Sequence, residues 1–183
     1  MKGFTLIEVL VTIFLVAVGM MGFAALQIRT MNLAVETQER AAMSALVTNM
    51  SESIRSNHVT AYNGGYELGD IPYGLREKAN CSALVGPTRD VCQWNNAIQT
   101  NELATAVNRS AIGAVGCLST IEFAETHRTI RIAMAWSTRV STGAEQAPGV
   151  DCGTGIIPED YRRALYRDVR VRNVELKREL ESD

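Results

Sequence analysis

Apolar and polar positions fall into two unlike patterns that meet near residue 28. From Val9 to Ile28 no residue is charged and the apolar side chains point in every helical direction, as in a helix surrounded by hydrocarbon or by other apolar helices. At 1.5 Å per residue that stretch spans roughly 30 Å, the thickness of a bilayer core. Beyond Arg29 the helix continues in amphipathic form. Met43, Leu46, Val47, Met50 and Ile54 recur at spacings of three and four. No proline interrupts Phe4 to Asn57, so the pattern predicts one helix of roughly 80 Å. Its first half suits a membrane, and its second half lays an apolar stripe on a domain.

The period then changes. Residues 58–88 carry turn signals at Asn63-Gly64-Gly65, Gly69-Asp70 and Gly86-Pro87, and read as a connection with little regular structure. Thr88 and Asp90 are candidate caps for a helix running to about Ala106, with Val91, Trp94 and Ile98 on one face. Two strands follow, Ala114 to Phe123 and Arg128 to Ser137, with Glu125-Thr126-His127 as the hairpin turn. The second alternates Ile130, Ile132, Met134 and Trp136 against Arg131, Ala133 and Ala135. Residues 138–158 form a Gly-, Ser- and Thr-rich loop containing Cys152. A third strand, Arg163 to Arg172, has Leu165, Val169 and Val171 on one face and Tyr166 on the other. Val174 to Ser182 is a charged tail. The predicted fold is α+β, a long N-terminal helix packed on a small antiparallel β-sheet.

Composition adds little until it is split at the same place. The 183 residues are 46% hydrophobic, with 18 basic and 20 acidic side chains and a net charge of −2, which gives no reason to expect a nucleic-acid surface. Within the first 28 residues only Lys2 and Glu8 are charged; every other charge lies in the body. The split argues against a disordered chain, a multi-span membrane protein and a purely cytosolic globule. Two solvents are implied, a bilayer and water.

The four cysteines, Cys81, Cys92, Cys117 and Cys152, all lie beyond the apolar stretch. An even number outside the membrane suits an oxidising compartment and two disulfides. Of three connectivities, Cys81–Cys92 with Cys117–Cys152 is favoured, because the first closes a short local loop and the second ties a strand to a long loop. A zinc site is the competing reading, but it calls for C-x-x-C-like spacing or nearby histidines, and His58 and His127 sit near none of the four.

Glu8 is the informative charge. A cleavable secretory signal would have a shorter apolar stretch ending in small residues, whereas here bulky Leu26 and Ile28 follow Ala25. A carboxylate at membrane depth is costly and marks function; one at headgroup level costs little, and position alone leaves both readings open.

The string Gly3-Phe4-Thr5-Leu6-Ile7-Glu8-Val9-Leu10 closely resembles the leader site of type IV prepilins and pseudopilins. The resemblance implies that a prepilin peptidase cuts between Gly3 and Phe4, that Phe4 becomes N-methylated, and that Glu8 is the fifth mature residue. The leader, Met1-Lys2-Gly3, is short for the family. Further on, Met50-Ser51-Glu52-Ser53-Ile54-Arg55-Ser56-Asn57, followed by Tyr62-Asn63-Gly64-Gly65-Tyr66, is similar to the minor pilins of the type IV pilus modification family (PilV). The match is partial at Glu52-Ser53, where that family has an acidic–basic pair. It covers residues 3–66 and is thin beyond, apart from a Gly116-Cys117 strand and a strand ending at Trp136.

Six regions follow: a leader at 1–3, a transmembrane and assembly helix at 4–28, its amphipathic half at 29–57, a connecting region at 58–113, a sheet domain at 114–174 and a tail at 175–183. The resemblance implies a minor pilin that helps initiate or prime pilus assembly. Its implied partners are other minor pilins, the major pilin, the prepilin peptidase and an inner-membrane assembly platform. It implies a single inner-membrane pass with the C-terminal domain in the periplasm, then the pilus tip or base. The rivals are a type II secretion pseudopilin and an unprocessed single-pass binding domain.

Cleavage would create an α-amine on Phe4 about one helical turn from Glu8. If helices pack into a filament core, both charges leave water together, and a partner amine offsets the cost of burying the carboxylate. Glu8 thus reads as a register key that meets a neighbouring subunit's amine; an intra-chain cap at the helix N-terminus is compatible with this. Gly19 and Gly22 either permit close helix approach or mark a flexible point.

Catalytic chemistry is sparse. His58 and His127 read as solvated loop residues, and no P-loop, dinucleotide fingerprint or calcium loop occurs. Gly149, Gly153 and Gly155 lack the strand-to-helix context of a phosphate site. Arg162, Arg163, Arg167, Arg170 and Arg172, interspersed with Asp160 and Asp168, read as a solvated face, with a DNA- or subunit-contacting edge as the lesser reading. No enzyme activity, cofactor or metal is expected.

Overall fold

The computed structural model describes residues 5–67, 72–100, 113–138 and 151–173. Helix α1 spans Leu6–Ser56, a short α2 spans His58–Tyr62, and α3 spans Gly86–Thr100. Strands β1 (Ala114–Ala124), β2 (His127–Ser137) and β3 (Arg162–Arg172) form one antiparallel sheet in that order. The architecture is α+β, with a long helix whose second half packs on a three-stranded sheet.

Two compact units meet inside α1, between Gln38 and Glu39. In the first, the apolar side chains are exposed from Leu6 through Leu33. The lone hydroxyl of its uncharged stretch is satisfied within the helix, since Thr12 Oγ1 donates to the Val9 carbonyl at 2.8 Å. That hydroxyl therefore asks for no water.

In the second unit the stripe read from the sequence becomes the core. Met43, Leu46, Val47, Met50 and Ile54 are buried against Ile130, Ile132, Met134, Trp136, Val169 and Val171 of the sheet and Val91, Trp94 and Ile98 of α3. The indole of Trp94 donates to the Leu46 carbonyl at 3.1 Å, so α3 is fixed to α1 by a buried hydrogen bond as well as by area. Gly116 on β1 makes the approach of α3 possible: a Cβ there would lie 2.5 Å from Trp94 Cη2 and 2.9 Å from Ile98 Cδ1. Its backbone also exchanges hydrogen bonds with Tyr73, at 2.7 and 2.8 Å.

The opposite face of the sheet is covered too, which the sequence pattern did not anticipate. Val115, Ala133 and Ala135 pack under Cys152 and Ile157, so the segment 151–158 is a strap and not an open loop. Gly153, at φ +78°, lets the strap sit low. A Cβ there would come within 2.9 Å of the Ala135 methyl and 3.0 Å of Val115.

Several local expectations are corrected. Part of the connection, His58–Tyr62, is helical, with Tyr62 Oη donating to the Glu125 carbonyl at 2.7 Å. Helix α3 starts at Gly86, before the expected caps, because Pro87 presents no N–H in the first turn and Thr88 Oγ1 bonds back to the Val85 carbonyl. The expected extension to Ala106 and the tail lie outside the described residues. His127 opens β2, paired with Ala124, so the turn is Glu125-Thr126 alone. Arg162 is no part of a solvated face: it is 4% exposed and donates to Glu159 Oε2 at 3.0 Å and to the Cys152 carbonyl at 3.1 Å.

Since Gly116 has no room for a side chain, Gly116→Val should cost about 1–3 kcal/mol by overpacking against Trp94. Urea unfolding followed by tryptophan fluorescence checks this; an unchanged midpoint contradicts the close approach.

Candidate assembly site

The candidate assembly element lies in the first unit. Helix α1 begins within its first turn of Glu8, whose N–H donates to the Thr5 carbonyl at 3.1 Å. A carboxylate there faces the positive end of the helix dipole, worth about 0.3–1 kcal/mol at an exposed site. Gly3 and Phe4, the expected cleavage pair, lie outside the described residues. The helix from Leu6 is long and apolar enough to cross a membrane, and its most apolar part is left unburied by the described chain. Leu6 is 79% exposed, and Ile13, Phe14, Met20, Met21 and Phe23 are all exposed as well. An apolar surface of this extent in water is unfavourable, so lipid or other helices must cover it. Gly19 and Gly22 meet nothing within 4 Å, so no contact within the chain requires a glycine at either place.

Behind this element the end of α1 is clamped to α3. Tyr66, 1% exposed, donates its hydroxyl proton to Asp90 Oδ2 at 2.6 Å, and its oxygen also lies 3.0 Å from the Ser53 carbonyl. Asn57 Nδ2 donates to the same Asp90 oxygen at 2.8 Å and to Tyr66 Oη at 3.2 Å. Asp90, which the sequence suggested as a helix cap, is instead the acceptor that joins two elements. Burial pushes the Tyr66 hydroxyl above the usual tyrosine range, and its hydrogen bond to Asp90 adds to that. The Tyr73 hydroxyl is also raised by burial, with Arg76 opposing.

Two disulfides hold the remaining segments. Cys81 is joined to Cys92, separated by 11 residues, and Cys117 to Cys152, separated by 35; both pairs have Cα atoms 5.8 Å apart. In the chain-entropy account, loops of these lengths contribute about 3 and about 4 kcal/mol. The second anchors the strap to β1.

The two histidines part company. His58 opens α2 on the surface, whereas His127 is largely covered in β2, its Nε2 3.3 Å from Glu122 Oε2 and beside Arg170. That hydrogen bond, then the one from Thr129, holds the Glu122 carboxyl below its ordinary range. Arg131 forms a two-point pair with Asp168, at 2.8 and 2.9 Å, and lies over the Tyr166 ring. Arg170 lies 4.0 Å from Glu122. Among the described residues no group of three His, Cys, Asp or Glu side chains is placed to hold a metal ion.

Two features escaped the sequence reading. The buried role of Arg162 was masked by its place in a run of arginines. The Tyr66–Asp90 bond joins residues with no periodic relation, so nothing in the spacing pointed to it.

Residues 1–24 match the family profile described as the prokaryotic N-terminal methylation motif. Comparison with curated proteins and with solved structures gives no match. The motif is a prepilin signal. With the apolar helix behind it, it supports a type IV pilin-like or pseudopilin-like protein, membrane-anchored and structural, with the prepilin peptidase and other pilins as the kind of partner suggested.

A raised Tyr66 pKa favours the neutral phenol in the folded state. Its contribution is complete below the unfolded value of about 10 and is lost as pH rises from there through the higher folded value. Unfolding titrations between pH 9 and 12 should therefore show a steeper loss of stability for the parent chain than for Tyr66→Phe. Parallel curves would contradict the clamp.

Proposed function

We propose that the chain is a minor type IV pilin that helps initiate or prime pilus assembly together with other minor pilins. The observation that carries this reading is the prepilin motif leading directly into an apolar helix that the chain leaves uncovered. In this reading a prepilin peptidase cuts between Gly3 and Phe4, and Phe4 is N-methylated. The helix then leaves the inner membrane through an assembly platform for a core of pilin helices, at the pilus tip or base. The disulfide-tied domain waits in the periplasm, where oxidised cysteines persist.

Glu8 serves as the register key. Moving an apolar helix from lipid into a helical core changes its apolar surroundings little, so the position along the axis needs a polar determinant. A buried carboxylate stays costly until it meets a cation, here the α-amine of Phe4 on a neighbouring subunit. Secretion pseudopilins share the motif. The similarity of the Asn57 and Tyr66 region to minor pilins favours the pilus.

Mass spectrometry of the mature N-terminus tests the reading: N-methylated Phe4 is expected, and an intact Met1 or Lys2 in the membrane fraction overturns it. Glu8→Val should leave processing intact but cut incorporation into pili about tenfold or more. Normal piliation with that variant present in the filaments refutes the register role.

A further inference from the structure

The two disulfides sit in unlike surroundings. Cys152 is 6% exposed and packs with Val115, Ala135 and Ile157, Cys117 is packed against the same cluster, and the Arg162 guanidinium holds the Cys152 carbonyl at 3.1 Å. Both halves of that bridge belong to the layer beneath the strap, so attack on it works against that packing. Cys81–Cys92 lies instead beside a cavity of about 350 Å³ between α3 and the segment before it, walled by Tyr73, Ala79, Leu84, Val91 and Cys92. The two halves of this bridge also differ from each other. Cys81 is buried, whereas Cys92 is partly exposed and lines the cavity.

The segment before α3 has holds other than this bridge. Asn95 Oδ1 accepts from the Gly74 N–H at 2.7 Å, and its Nδ2 donates to the carbonyls of Arg76 and Glu77. Asn96 Oδ1 accepts from the Ala79 N–H at 3.3 Å, its Nδ2 donates to the Ala79 carbonyl at 2.8 Å, and Gln99 donates to the Arg76 carbonyl. The Asn96 amide has a second task, because Nδ2 also donates to Cys81 Sγ at 3.4 Å. An N–H aimed at a sulfur favours its thiolate, and a sulfur favoured as thiolate leaves faster in exchange. Cys81 is thus prepared to leave, and Cys92 is the sulfur open to attack.

We propose that Cys81–Cys92 is a thiol–disulfide exchange site, reduced in the folded chain by a dithiol that enters at the cavity and attacks Cys92 Sγ. The attacking thiolate forms a bond to Cys92 Sγ as the Cys81–Cys92 bond breaks, and the bonding pair leaves on Cys81 Sγ beside the Asn96 N–H. The second sulfur of the dithiol, also as thiolate, then displaces Cys92. The dithiol ends as a disulfide, and the two cysteines take up the protons that it gave up. Reduction releases the turn at 82–85, where Val85 is 77% exposed, while Asn95, Asn96 and Gln99 keep residues 74–79 on α3. The bridge is then a local switch as well as a brace, and this holds whether or not the chain is a pilin.

The test uses the full chain folded in detergent, reduced with dithiothreitol without denaturant, quenched by alkylation and mapped by peptide mass. Cys81 and Cys92 should become alkylated about tenfold or more faster than Cys117 and Cys152, with tryptophan fluorescence and helical circular dichroism unchanged. With glutathione in place of dithiothreitol and an acid quench, the trapped mixed disulfide should sit on Cys92. Asn96→Asp removes the N–H from Cys81 Sγ and should slow reduction about threefold or more. Loss of the Asn96 hold on Ala79 would by itself loosen the segment and speed reduction, so the sign separates the two roles. The Cys117–Cys152 rate in the same sample controls for a loosened fold. Equal rates for the two bridges overturn the proposal, as does reduction that proceeds only as the fluorescence changes. It is equally overturned by a mixed disulfide on Cys81, or by an unchanged or faster rate in Asn96→Asp.

Discussion

One buried hydroxyl holds the end of α1 in place. Tyr66 Oη binds Asp90, accepts from Asn57 and touches the Ser53 carbonyl, so three segments distant in sequence share a single polar node. The Tyr66 hydroxyl is buried, so removing its partners would leave it without the bonds that offset its desolvation. Helix α3 is oriented by it at one end and by the Trp94 bond to Leu46 along its body. The position of α3 in turn sets the approach to Gly116, and through Gly116 the fit of β1. The residues that resemble minor pilins, Ile54, Asn57 and Tyr66, are thus either core or clamp. Their pattern records how a helix is joined to its domain.

The rest of the domain is stabilised by covering both faces of a small sheet. Three strands with one face on a helix would leave the other wet, and alanines at 133 and 135 give little area to bury. Low side chains there instead allow the strap at 151–158 to lie close, with Gly153 and the Cys117–Cys152 bridge fixing its height. Arg162 completes this: its guanidinium is buried beside the strap and bonds the Cys152 carbonyl, satisfying an acceptor that a loop would otherwise turn to water.

The sequence made the large elements legible because they obey a period. The apolar stretch to Ile28, the stripe from Met43 to Ile54 and the alternation through Ile130, Ile132, Met134 and Trp136 each express one repeated geometry. Contacts between elements have no period, so the clamp of Tyr66 to Asp90 and the burial of Arg162 could not be read from spacing. The start of α3 was misplaced for a related reason. Thr88 and Asp90 are good caps in isolation, but Pro87 already satisfies the first turn and Asp90 is taken by tertiary bonds. Of the candidate assembly element, Glu8 is visible by its contrast with its surroundings, while Gly3 and Phe4 gain meaning only through the motif they share.

The edges of the sheet bear on where a neighbour can attach. An open edge strand invites pairing with another chain, and proteins block it with charge, bulges or cover. Here β1 is paired with Tyr73 near one end and bulged between Thr120 and Glu122 toward the other. On β3, Arg167 shares the parity of Leu165 and Val169 yet is exposed, an inward-facing charge on an edge strand, and Asp168, Arg170 and Arg172 surround it. Strand addition is therefore disfavoured at both edges. A neighbour that meets these edges therefore does so through side chains and not by extending the sheet.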